Sequence, residues 1–204
     1  RDKAFHSPSM REIEQADAVV ILGEDITNVA PRIALALRQS VRNKAKELAA
    51  GCHTPQWQDA AVRELAQHDR SPLAILSSYA TRLDDVASDC VVDVPAALVD
   101  TGFAIAASLS KKAGVSTTTE HKAVAKRIAA QLSAAKRPLI IAGTTTGQIG
   151  LIRAAANIAR ALSSKNKAAI DLCLLVPEVN TLGVSMLANN ANKLSEALSK
   201  LASG

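Results

Sequence analysis

The 204-residue sequence predicts an α/β fold built on a doubly wound, mainly parallel sheet. Three observations predict it. Short apolar runs, Ala18–Leu22 first among them, recur along the chain and stop at Gly or Pro, as strands buried on both faces do. Between them lie stretches with apolar residues every three or four positions, the periodicity of helices packed on a sheet. Hydrophobic residues reach 48% while aromatic ones make up only 2%, so Ala, Val, Ile and Leu must build the core. Such small aliphatic side chains suit parallel strands covered on both faces.

Taken in order, Ala18 to Leu22, closed by Gly23, is read as the first strand. After a loop from Glu24 to Ala30, Pro31 opens a helix with Ile33, Leu37, Val41, Ala45 and Leu48 on one side, and Gly51 stops it. Pro55 and Trp57 lead into a second helix with Ala61, Leu65 and His68 on one side, and Ser71-Pro72 introduces the strand from Leu73 to Leu76. Thr81 is placed to cap a short helix with Asp84 and Asp85 at its positive end, ahead of a third strand from Val91 to Val94 that Pro95 ends. Helices from Leu98 to Leu109 and from Glu120 to Leu132 follow, linked by Gly114 to Thr119. The strand from Leu139 to Ala142, closed by Gly143, and the helix from Gln148 to Leu162, with Ile149, Ile152 and Ala156 on its apolar face, repeat the opening pattern. An apolar run within 168–176, ended by Pro177, and a helix marked by Leu194, Leu198 and Leu201 close the chain. Strands separated by helices throughout imply parallel pairing. The chain reads as one region with two expected sub-lobes, residues 1–113 and 119–204.

A net charge of +5 invites a nucleic-acid reading, but the Lys and Arg residues are scattered among acids, and one Trp, one Tyr and two Phe leave few rings for base stacking. No nucleic-acid partner is expected. Cys52, Cys90 and Cys173 are odd in number and far apart, which predicts neither a disulfide framework nor a metal knuckle. They read as small core residues and as reduced thiols of a cytoplasmic protein. No apolar run approaches the roughly 18 residues of a spanning helix, so no direct membrane insertion is expected. The start Arg1-Asp2-Lys3 has neither an initiator Met nor a signal-peptide core, as expected of an excised segment.

The turn Gly143-Thr144-Thr145-Thr146-Gly147 lies between a strand and a helix, where free N–H groups can hold an anion, yet it lacks both G-x-G-x-x-G and the P-loop Lys. A structural turn is the simpler reading. Gly23-Glu24-Asp25 also follows a strand, but two carboxylates there would repel a phosphate, and solvated turn acids explain them. Asp84, Asp85 and Asp93 are explained by capping and solvation. His6, His53, His68 and His121 show no metal-ligand spacing and no tie to a nucleophile. Arg38, Arg42 and Lys46 form an i, i+4, i+8 stripe that reads as a solvated helix face, with docking of an acidic neighbour as the alternative. No catalytic residue and no metal site emerge.

Three stretches carry a resemblance: 11–25 (REIEQADAVVILGED), 81–87 (TRLDDVA), and 136–144 (KRPLIIAGT) together with 154–159 (AAANIA). They resemble the large iron–sulfur subunit, or G subunit, of bacterial NADH:quinone oxidoreductase, in its region of molybdopterin-oxidoreductase type. The closing 176–184 (VPEVNTLGV) fits the same protein. The resemblance implies a Rossmann-like sheet in a chain whose parent complex transfers electrons from NADH through FMN and iron–sulfur clusters to quinone. It implies that those clusters sit on cysteines outside this segment. The implied partners are the other subunits of the peripheral arm, at the cytoplasmic face of the inner membrane. The wider superfamily binds a molybdopterin guanine dinucleotide through Gly-x-Asn-Pro after the first strand and Pro-Gly-Thr-Asp after the third. Here those turns read Gly23-Glu24-Asp25-Ile26 and Pro95-Ala96-Ala97-Leu98. A guanine facing them would lose about 1–3 kcal/mol for each unpaired donor. The resemblance therefore implies a vestigial pocket near Gly23, Asp25, Pro95, Gly143 and Thr144, no cofactor in this segment, and a scaffold role. Three rival readings are an active molybdopterin-dependent oxidoreductase domain, a nucleotide-binding domain like the central domain of thiamine-diphosphate enzymes, which 136–143 also resembles, and a plain interaction domain with no relation to electron transfer.

Overall fold

A computed structural model describes residues 4–67, 69–110, 119–187 and 194–203; His68 and the expected linker, Thr119 apart, lie outside the described residues. Six strands and ten helices occur among them. The first half contains β1 (Phe5–His6), α1 (Met10–Glu14), β2 (Ala18–Leu22), α2 (Ile26–Val29), α3 (Pro31–Ser40), α4 (Asn43–Gly51), α5 (Asp59–Ala66), β3 (Leu73–Ser77) and β4 (Asp89–Val92). The second contains α6 (Pro95–Ser110), α7 (Thr119–Ala134), β5 (Pro138–Gly143), α8 (Ile149–Asn166), β6 (Ile170–Leu175), α9 (Thr181–Leu187) and α10 (Leu194–Ala202). The strands form one all-parallel sheet in the order β1-β6-β5-β2-β3-β4.

Strand side chains alternate between two cores, as a period of two demands. Ala18, Val20, Leu22, Leu76 and Ile140 face one, where α6, α7 and α8 contribute Leu98, Ile105, Ile128, Leu132, Ile158 and Leu162. Val19, Ile21, Leu73, Ile75, Leu139 and Ile141 face the other, covered by Ile13 of α1, Ile26 of α2 and Leu37 of α3. Helices on both faces make the sheet doubly wound, in agreement with the class read from the sequence.

The expected single helix from Pro31 to Gly51 is broken at Val41-Arg42. The Val41 carbonyl accepts a hydrogen bond from Ser71 N (3.0 Å), and Lys44 N donates to Ser71 Oγ (3.1 Å). Asn43 Nδ2 reaches the carbonyls of Glu14 and Ala16 at 2.8 and 3.0 Å. Long-range polar contacts thus replace helix continuation, and the basic stripe dissolves: Arg38 grips both Asp85 oxygens (2.8 and 2.9 Å), while Arg42 pairs with Asp59. Residues 82–86 form turns in place of the expected short helix, although Thr81 Oγ1 still accepts from Leu83 N at 3.3 Å. The third strand begins and ends two residues earlier than read. α5 buries Val62 and Ala66 and leaves Leu65 exposed, and Ile149 is exposed as well.

Helix α1 shows how local sequence starts an element. Ser9 N donates to Glu12 Oε2 (2.7 Å) and Glu12 N donates to Ser9 Oγ (3.4 Å), a reciprocal capping box. The Ser9 backbone N–H, then the Ser9 side chain and His6, hold the Glu12 carboxyl at about 2, against an ordinary value of 4.5. A depressed folded-state value means the contribution is present above the ordinary value and is lost as the pH falls through about 2. An NMR titration is expected to place the Glu12 midpoint near 2. Ser9→Pro, allowed at φ −73°, removes the Ser9 contributions and should raise the midpoint toward the ordinary range, with His6 still holding it somewhat below.

Candidate functional site

In an open α/β sheet, ligands bind beyond the carboxyl ends of the strands, where neighbouring loops diverge to opposite faces. Here that switch falls between β2 and β5. The register sets Leu22 beside Ala142, so the next residues, Gly23-Glu24 and Gly143-Thr144-Thr145, come together at the crevice.

Gly23 turns the chain at φ +76°, a conformation that side-chain-bearing residues rarely adopt. The Glu24 side chain that follows is buried, with 1% exposure. Its Oε1 accepts from Thr145 N at 3.0 Å and its Oε2 from Thr145 Oγ1 at 2.6 Å. Gly143 is required because a Cβ there would lie 2.4 Å from Glu24 Oε1 and 2.7 Å from the Leu175 carbonyl oxygen. Asp25 is also buried. It caps α2 by accepting from Thr27 N (3.1 Å) and Asn28 Nδ2 (2.7 Å). The expectation of solvated turn acids is therefore corrected: both carboxylates point into the protein, and the turn after β5 spends its donors on one of them. Thr144 is exposed and Pro95, half-buried, starts α6 behind β4, two strands from β2.

A second arrangement escaped the sequence reading. Thr101 Oγ1 lies 3.3 Å from His121 Nδ1, and His121 Nε2 lies 3.6 Å from Asp93 Oδ2. Hydroxyl, imidazole and carboxylate stand in the order of a nucleophilic triad, yet Thr101 is fully buried and its hydroxyl donates to the Ala97 carbonyl (2.8 Å). A hydroxyl without access to substrate, and with its proton already committed, ties helices together instead of attacking anything. Spacing could not show it, because Asp93, Thr101 and His121 come from three separate segments.

Other groups are dispersed. Cys52 and Cys90 are exposed, which corrects their reading as core residues, whereas Cys173 is partly buried and packs against the core covered by α1, α2 and α3. Burial raises the Cys173 thiol above its ordinary value, and burial followed by the charge of Asp84 raises Cys90, so neither is primed as a thiolate. Among the described residues, no group of three or more His, Cys, Asp or Glu comes together as a metal site would need. No helix among them is long and apolar enough to cross a membrane. A groove of about 670 Å³ lined by Asp17, Lys44, Glu47, Arg70, Lys136 and Arg137 lies at the amino end of the strands, away from the crevice.

Sheet order and crevice define a Rossmann-like α/β fold whose switch point holds the Glu24–Thr145 contact. No protein-family model matches the chain. The G subunit of NADH-quinone oxidoreductase from Pseudomonas fluorescens is 48% identical over 193 residues, which is 94% of this chain and 21% of that protein. Its counterparts are 46% identical over 197 residues in Shewanella oneidensis and 38% identical over 209 in Escherichia coli K12, covering 96% and 100% of this chain and 22% of each relative. Nearly the whole chain is thus homologous to one stretch of these NADH-quinone oxidoreductase G subunits, and it spans about a fifth of the length of the curated relatives it matches.

The crevice generates a coupled prediction. Gly143→Ala should cost about 1–3 kcal/mol, since its methyl group overlaps the Glu24 carboxylate. In the double variant with Glu24→Ala the overlap is partly relieved, so the summed cost should fall short of additivity by more than about 0.5 kcal/mol. Urea denaturation of the four proteins of this cycle measures it.

Proposed function

We propose that this chain is a non-catalytic scaffold and docking domain of the NADH-quinone oxidoreductase G subunit, within a complex that carries electrons from NADH through FMN and iron–sulfur clusters to quinone. The supporting observation is the buried Glu24 carboxylate bound to Thr145. It takes the room and the donors that a dinucleotide phosphate would need at the β2–β5 switch, and its charge repels a phosphate. The residues present therefore do not fit a pterin dinucleotide, and no reaction step is assigned to the domain. The clusters belong to other parts of the parent protein. The partners are the other subunits of the peripheral arm, on the cytoplasmic side of the membrane. Exposed Val179, Leu182, Met186 and Leu187, in or just before α9, a helix with no buried residue, favour docking, because large apolar side chains left in water mark contact sites.

Two measurements test this. A ligand at a hundred times its Kd adds about 2.7 kcal/mol, so a bound nucleotide or pterin would raise the melting temperature by several degrees. GDP, ADP, NADH and a reduced pterin are each expected to leave it unchanged, and the purified chain is expected to carry no molybdenum. A pull-down from bacterial membranes should recover other subunits of the complex. A ligand-induced shift, bound molybdenum, or a different partner would replace the scaffold reading with one of its rivals.

A further inference from the structure

We infer that the β5–α8 turn is an oxyanion-binding site whose resident ligand is the chain's own Glu24 carboxylate. The inference deepens the scaffold reading and rests on it, since it explains what closes the crevice. Thr145 presents its N–H and its hydroxyl to different oxygens of one carboxylate, at 3.0 and 2.6 Å, which is a two-pronged fit to a planar anion. The carboxylate is withdrawn from water almost completely, yet it takes part in none of the ion pairs among the described residues. Oriented dipoles from one turn hold it, which is how loops after strands hold phosphates and carboxylates. Gly143 lacks the Cβ that would stand in the anion's place, so the backbone is cut to the shape of the bound group. Buried carboxylates elsewhere in the chain are held differently: Asp89 by Arg127, and Asp25 by its own helix start. The site accepts a small carboxylate, and Glu24 delivers one covalently, at an effective concentration that solution anions do not match.

Removing the tethered carboxylate should leave a site that a free one can enter. In the full chain, Glu24→Ala is expected to lower the melting temperature by about 4–8 °C. Sodium acetate should then raise it with saturation, while sodium chloride at equal ionic strength should not. The Thr145 amide resonance of the variant should move with the same acetate dependence, and wild type should respond alike to both salts. If the variant does not fold in chloride, recovery of its circular dichroism in acetate supports the site, and failure in both salts overturns it. Glu24→Gln keeps the side-chain volume, so acetate should do nothing to it. Equal effects of acetate and chloride on Glu24→Ala, or an acetate response in Glu24→Gln, would overturn the inference. Either result leaves the scaffold reading intact, because that reading fails only on nucleotide, pterin or partner binding by wild type.

Discussion

The register of β2 between its two neighbours is the constraint on which the rest depends. Val19, Val20, Ile21 and Leu22 sit directly beside Leu139, Ile140, Ile141 and Ala142 on one edge and Leu73, Ala74, Ile75 and Leu76 on the other. A slip of one residue would send every side chain to the opposite core. Both faces are apolar, so hydrophobicity alone would tolerate the exchange, and shape must decide. Ala18 and Ala142 lie on the face crowded by α6, α7 and α8, whereas Ile21 and Ile141 lie on the face of α1 and α3. The buried alanines of β2, β3 and β5 all lie on the first face, beside Leu22, Leu76 and Ile140, whereas the second takes only Val, Leu and Ile from those strands. Once that register is set, Gly23 and Gly143 end their strands side by side, and the Glu24–Thr145 contact follows from sheet geometry.

Burying a carboxylate without partners would cost several kcal/mol. Two charge-assisted hydrogen bonds, each worth roughly 1.5–3 kcal/mol, offset that penalty. Ion pairs elsewhere act between elements. Arg38 ties the turn after β3 to α3 through Asp85, and Arg127 ties α7 to the edge strand β4 through Asp89. Arg38 and Asp85 are substantially exposed, so that pair contributes little beyond geometry. Arg127 is half-exposed, but the Asp89 side chain is only 3% exposed, and loss of Arg127 would strand a buried charge.

Strands were legible where a continuous apolar run met a Gly or Pro, as at Ala18–Leu22 and Leu73–Ser77, because burial on both faces demands such runs. β1, with two residues, is too short to carry any period. The helix break at Val41 was invisible because its cause, Ser71, is remote in sequence. The same limit hid the candidate site. Glu24 and Thr145 were each read correctly as turn residues after a strand, but local periodicity does not say that β5 lies next to β2. Without that adjacency two neighbouring acids look solvated, and a Thr-rich turn looks free to meet an outside ligand.

The pairing of β1 with β6 sets an order on assembly. Phe5 and His6 lie beside Ile170 and Asp171, so the first of these strands to be synthesised finds its place only after the last has emerged from the ribosome. Until then β2, β3 and β4 can associate among themselves, but the β2 edge that receives β5 stays open while most of the sheet is being made, and long-range closure of this kind is slow. A nascent chain in that state exposes an apolar strand edge, a natural target for a holding chaperone.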